Sequence, residues 1–174
     1  MYDVLRYYLR EKAVLSEHEL EKVEAAAVRR QLRKRQILLQ EGEINRTQHF
    51  ICKGYVRQFR IDEKGVEHII RFAAESSWIA DPESFYLGIP AKSKISCITD
   101  VVVLQWSKEN FENLQEEIPA FRQFHDDWLV SSVKAASNRY VRALKRLRPI
   151  LLSGPHLLGH LSGCAGPGAP DDRP

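Results

Sequence analysis

Between residues 35 and 106 the apolar positions fall in short runs separated by glycine: Ile37-Leu38-Leu39 before Gly42, Phe50-Ile51-Cys52 before Gly54, Phe59 and Ile61 before Gly65. The pattern returns at Ile95-Ser96-Cys97-Ile98 and Val101-Val102-Val103-Leu104. Runs of this kind with turn residues about every ten positions predict many short antiparallel strands, and a barrel or roll buries one face of each. Asp62-Glu63-Lys64-Gly65 joins two such runs, predicting a hairpin in which Gly65 supplies the positive φ. The segment around Asp81-Pro82-Glu83-Ser84-Phe85-Tyr86-Leu87-Gly88-Ile89-Pro90 mixes Pro, Gly and carboxylates with apolar residues, which predicts a loop or short helix laid against the roll.

Outside that stretch the period lengthens. Leu5, Tyr8 and Leu9 recur at helical spacing, and Ser16 with Glu19 three residues on predicts a capping box ahead of Leu20, Val23 and Ala27. The basic run Arg29, Arg30, Arg33, Lys34 and Arg35 then reads as the solvated cationic end of the second helix rather than a phosphate site, since the helix dipole favours cations there. Ser107 predicts a cap for a short helix through Leu114. Beyond Ile118 a long helix presents two apolar faces: Phe121, Phe124 and Trp128 on one, and Leu129, Val133, Ala136, Tyr140, Ala143 and Leu147 on the other. Two faces require two partners. The aromatic face suits the chain's own roll, and the heptad-like stripe suits the same helix of a second subunit, so a homodimer is expected.

The predicted fold class is therefore mainly β with flanking helices, an α+β chain built on an antiparallel β-roll of the jelly-roll or double-stranded β-helix kind. The expected limits are N-terminal helices over 1–33, the roll over 34–106, and a short helix plus dimerisation helix over 107–148, all in one domain of 1–148. A chain of 174 residues with 44% hydrophobic residues has material for one good core but hardly two. Its net charge of +3 is ordinary and selects no partner. No apolar run is long enough for a membrane span and the N-terminus lacks a secretory pattern, so a cytoplasmic protein with no membrane partner is expected. The three cysteines Cys52, Cys97 and Cys164 show no Cys-x-x-Cys spacing, so reduced thiols and no metal site are expected.

The order of helix pair, roll with Glu41-Gly42-Glu43, then Ile51-Cys52-Lys53-Gly54-Tyr55-Val56-Arg57, a loop insertion, Ile98-Thr99-Asp100, short helix and long helix resembles the cyclic-nucleotide-binding-like half of bacterial Crp/Fnr transcription regulators. The resemblance covers roughly 20–147. It implies a sensor that binds a small molecule in the roll, dimerises through the long helix and carries a DNA-binding winged helix-turn-helix after it. In nucleotide-binding members a Gly-Glu pair grips the ribose and an Arg forks onto the phosphate. The matching positions here are Ala80-Asp81 and Ala91, with Lys92 adjacent. The implied effector pocket is thus Asp81, Ser84, Ala91, Lys92 and Ser93. An ammonium cannot reproduce planar two-point recognition, so the expected effector is not cyclic AMP. The competing reading of these residues is structural: Asp81 caps a turn before Pro82 and the lysines are solvated.

β-Rolls also house metal enzymes, which need two or three His and a carboxylate converging on one ion. Here His49 and His68 stand on separate strands and His125 on a helix, and no phosphate loop, nucleophile elbow or carboxylate pair is present. No enzyme, catalytic residue or cofactor is expected. The alternatives to a regulator are a stand-alone ligand- or protein-binding module and, less favoured, a cupin-like enzyme. Residues 149–174 hold five of the eight Pro and five of the nine Gly without helical periodicity, and read as a disordered tail in place of the DNA-binding domain. Sequence-specific DNA binding is therefore implied by the resemblance but not expected of this chain, which reads as truncated or frame-shifted.

Overall fold

The computed structural model describes residues 2–152, with the side chains of the last helix described through Lys134 and at Ser137. The tail expected over 149–174 lies largely outside the described residues. The chain divides into two units, Met1–Val130 and Ser131–Pro174.

The first unit begins with α1 (Tyr2–Lys12) and α2 (Glu17–Ala25). Ser16 caps α2, accepting from the Glu19 amide while the Glu19 carboxylate takes the Ser16 amide at 2.7 Å, so the expected capping box is present. Eight strands follow: β1 (Val28–Leu32), β2 (Ile37–Leu39), β3 (Thr47–Lys53), β4 (Val56–Ile61), β5 (Glu67–Ala73), β6 (Ser77–Ile79), β7 (Lys94–Cys97) and β8 (Val101–Ser107). They form two four-stranded antiparallel sheets, ordered β1-β8-β3-β6 and β2-β7-β4-β5. The expected antiparallel roll with flanking helices is borne out.

One expectation fails at β1. Residues 28–32 were placed on the second helix, with the roll starting at 34, but Val28–Leu32 is a strand paired with β8, and α2 stops at Ala25. Four of its five residues are exposed and only Leu32 is buried, so its side chains carry no alternating hydrophobic signal. Its place is set by backbone pairing with β8, which sequence periodicity does not report. Arg29 and Arg30 consequently lie on a strand and not on a cationic helix end.

The strand period of two divides the apolar residues between two cores. On β3, Ile51 faces inward with Leu39, Val56, Ile79, Ile95, Cys97, Val101 and Val103 from both sheets. Phe50 and Cys52 face the other way, onto α1, α2, α4 (Lys108–Glu117) and the start of α5 (Pro119–Leu152). There Trp78 and Trp106 pack with ring centroids 4.9 Å apart, and the Trp106 Nε1 donates to Val23 O at 2.8 Å. Phe121 and Phe124 are buried in this layer with Trp128 packed against it, so the aromatic face of α5 covers the chain's own roll as expected. Ser107 caps α4 through the Asn110 amide, and the helix runs on to Glu117. In the second unit the described part is the stretch of α5 from Ser131 to Leu152.

Candidate functional site

The segment between β6 and β7 forms around Asp81. Its carboxylate accepts from the Ser84 amide at 3.1 Å and caps α3 (Pro82–Leu87), whose first position is the proline that suits it. Gly88 ends the helix in the left-handed region at φ 65°. Ser84 is buried; its hydroxyl donates to Ile89 O at 2.6 Å and accepts from the Asn45 amide at 2.8 Å. Ala91, also buried, is held by paired backbone bonds to Glu43 O and from the Gly42 amide, each 2.8 Å.

Five side chains predicted for the effector pocket are brought together unequally. Asp81, Ser84, Ala91 and Ser93 line the inner side of this segment. Lys92 points away and pairs with Glu83 at 3.0 Å, with more than half of its side chain exposed. The structural reading of Asp81 holds for its cap, but the residue does more: its second oxygen accepts from Ser93 Oγ at 3.1 Å.

From Ser93 the bonding continues into residues that sequence reasoning did not single out. Gln58 Nε2 donates to Ser93 Oγ at 2.7 Å, and Arg71 Nε donates to Gln58 Oε1 at 2.7 Å. The same guanidinium donates through Nη2 to Ala80 O, next to Asp81. Gln58 and Ser93 are both buried. A continuous polar chain, Arg71 to Gln58 to Ser93 to Asp81, therefore runs from β5 across β4 to the capping carboxylate. Gln58 and Arg71 are paired across β4 and β5; Gln58 shares the inward face of Val56, and the extra β5 residue, Ile70, puts Arg71 on that face although Ile69 faces out. The available signal was parity: a Gln two positions after inward-facing Val56 predicts a buried polar group in need of partners.

His49 is another buried polar residue of the roll. It is buried, lies 3.4 Å from Thr47 Oγ1 through Nε2, and burial outweighs its hydrogen bond to Gln105, pushing its pKa down to about 4. At neutral pH it is an uncharged imidazole. Among the described residues no group of three or more His, Cys, Asp or Glu is placed to hold a metal ion. Burial also raises the thiol pKa of Cys52 and, to about 11, of Cys97, so neither is a thiolate nucleophile at neutral pH.

Of the stripe expected to dimerise, Leu129 is half-buried and Val133 is 67% exposed, while Ala136, Tyr140, Ala143 and Leu147 lie outside the residues whose side chains are described. No helix of the described residues is long and apolar enough to cross a membrane.

The sequence model of the cyclic nucleotide-binding domain matches residues 29–117. No curated protein sequence gives a significant match. Among solved structures, the catabolite activator protein of Thermus thermophilus aligns with TM-score 0.66 and 16% identity, over 74% of this chain and 60% of that one. This chain thus spans less than two thirds of that protein's length. The sensor domain of the transcriptional regulator DNR from Pseudomonas aeruginosa aligns with TM-score 0.58 and 16% identity, over 89% of this chain and 93% of that one. The N-terminal domain of a transcriptional regulator from Streptomyces coelicolor A3(2) gives TM-score 0.55 and 17% identity, over 75% and 87%. At these identities the likeness is one of fold.

Proposed function

This chain belongs to the cyclic nucleotide-binding domain family, and from that premise we propose that it is the effector-sensing and dimerising portion of a cytoplasmic Crp/Fnr-like transcription regulator. Its ligand is a small molecule other than cyclic AMP, taken up inside the roll beside Asp81, Ser84, Ala91 and Ser93, with Lys92 at the rim. It acts by binding and not by catalysis. The regulator role is supported by the fold shared with sensor domains of transcription regulators, and the dimer by the exposed Val133 on the stripe of α5.

The observation that carries the ligand reading is the state of Asp81. Both its oxygens are engaged, by the Ser84 amide and by Ser93 Oγ, and Ala91 stands where a phosphate-binding fork would project. A cyclic phosphate placed there meets the Asp81 carboxylate, and the nearby Arg71 guanidinium is already bonded to Gln58 and to Ala80 O. An effector has to exchange the bonds of Gln58 and Ser93 for its own, because a buried polar group left unpaired costs about 1–3 kcal/mol. That requirement selects a ligand bearing both donors and acceptors. Titration calorimetry of the full chain with cyclic AMP is the test. The expected result is no saturable heat below millimolar nucleotide; a micromolar constant overturns the reading of this pocket.

A further inference from the structure

The outer face of the β2-β7-β4-β5 sheet, opposite the inner core, carries an apolar groove of about 640 Å³. Ile37 is 50% exposed, Ile69 42% and Phe72 66%, around a floor made by the buried Phe59. Helices cover the outside of the other sheet, whereas nothing in the described chain covers these side chains. An exposed contiguous patch of large apolar residues marks an interaction surface.

Charge at the groove's margin narrows what fits. Lys34, Arg35 and Lys94 line it, and none of the three forms an ion pair among the described residues. The single carboxylate, Glu67, is already neutralised by Arg57 at 2.6 and 3.1 Å. A second copy of the same face would bring like charges together, which disfavours self-association here. Single-stranded nucleic acid needs open ring faces for its bases. The Phe59 ring is covered by the Arg57 guanidinium at 4.3 Å, leaving Phe72 as the one open ring in an otherwise aliphatic floor.

Spacing narrows it further. Lys94 and Cys97 are three residues apart on β7, about 10 Å at ~3.3 Å per residue, and the Arg35 amide is bonded to Cys97 O at 2.8 Å. The cations therefore stand in two places about two helical turns apart, each turn being ~5.4 Å. We infer that this face docks an acidic amphipathic helix of a partner protein, laying its apolar stripe over Ile37, Ile69 and Phe72 and carboxylates two turns apart on Lys94 and on Lys34 with Arg35. This partner is separate from the proposed effector, and loss of one would leave the other intact.

The test uses the full chain and two fluorescein-labelled synthetic peptides. Both have Leu at i, i+3, i+4 and i+7 positions; one carries Glu and the other Lys at positions two turns apart. Fluorescence anisotropy should give micromolar binding of the Glu peptide, at least about tenfold tighter than the Lys peptide, weakening as salt screens the cations. Phe72→Asp should weaken the Glu peptide about tenfold, and Lys94→Glu should abolish the preference for it. If Phe72→Asp lowers the melting temperature, Ile37→Ser, on the same exposed patch, serves in its place. Equal affinity for both peptides, or affinity unchanged by the substitutions, overturns the inference. So does tighter, equally Phe72-dependent binding of an oligo-uridine strand or of phosphatidylglycerol vesicles, which would assign the face to nucleic acid or lipid.

Discussion

Tyr86 Oη lies 3.0 Å from His125 Nδ1, joining α3, which flanks the proposed effector pocket, to the first turns of α5. Gln115 Nε2 on α4 reaches the same nitrogen at 3.1 Å. Tyr86 keeps its proton, with burial raising its pKa to about 12, so both neighbours present donors and Nδ1 is the acceptor. Three helices of the outer layer thus converge on one neutral imidazole, stacked on Trp128 at 5.3 Å.

The first prediction concerns pH. Burial lowers the pKa of His125 to about 4 against the weaker opposing pull of Asp126, and that of His49 likewise to about 4, from an ordinary value of 6.5. Between these values the unfolded chain binds more protons than the folded one. Stability is therefore full above about pH 6.5 and falls as pH drops towards 4, by on the order of 3 kcal/mol per group. Urea melts from neutral to mildly acid pH should show the decline, and His125→Phe should flatten part of it. A pH-independent midpoint would mean that both rings are solvated in the native state.

Removal of the Asp81 carboxylate tests its structural role. Asp81→Ala loses the α3 cap and the Ser93 bond together and should cost about 1–3 kcal/mol. Asp81→Asn retains an acceptor for the cap and should cost less. Lys92→Ala loses an exposed ion pair with Glu83 and should change stability by less than about 1 kcal/mol. Denaturant midpoints for the three variants check the order.

Gly54 is required by two independent constraints. Its φ is +93°, and a Cβ there would stand 2.4 Å from Asp100 O and 2.8 Å from Thr99 Oγ1. Gly54→Ala should cost more than about 1 kcal/mol, the usual price of strain at such a φ, because backbone must also move. Gly65→Ala meets open space and should show the conformational cost alone. Thermal melts of the two variants compare the terms directly.

For the proposed dimer, Val133→Glu combined with Tyr140→Glu places carboxylates in the seam of the α5 stripe and should give a monomer by light scattering. An unchanged dimer would move the interface off this helix.

Arg71 and β1 show where reading the chain stops. Arg71 sits in a run, His68-Ile69-Ile70-Arg71-Phe72, that announces a strand, yet the bulge after Gln58 decides that its guanidinium turns inward and meets Ala80 O and Gln58. A bulge of one residue reverses facing, and its position depends on pairing with another strand. Likewise the heptad-like stripe and the aromatic face of α5 are both written in spacing, but only packing shows that Phe121 and Phe124 belong to the chain's own core.

Local signals by themselves determined the elements whose causes are local: the Ser16 and Ser107 caps, the Asp62–Gly65 turn and the Asp81 cap before Pro82. Each rests on side chains bonding or packing within a few residues, so neighbours in sequence suffice. Tertiary structure alone decided that Val28–Leu32 is a strand, that Asp81 is tied through Ser93 and Gln58 to Arg71, and that Ile37, Ile69 and Phe72 share one uncovered face. Those relations join residues from separate strands, and the free energy that selects them is that of burial and backbone pairing over the whole roll.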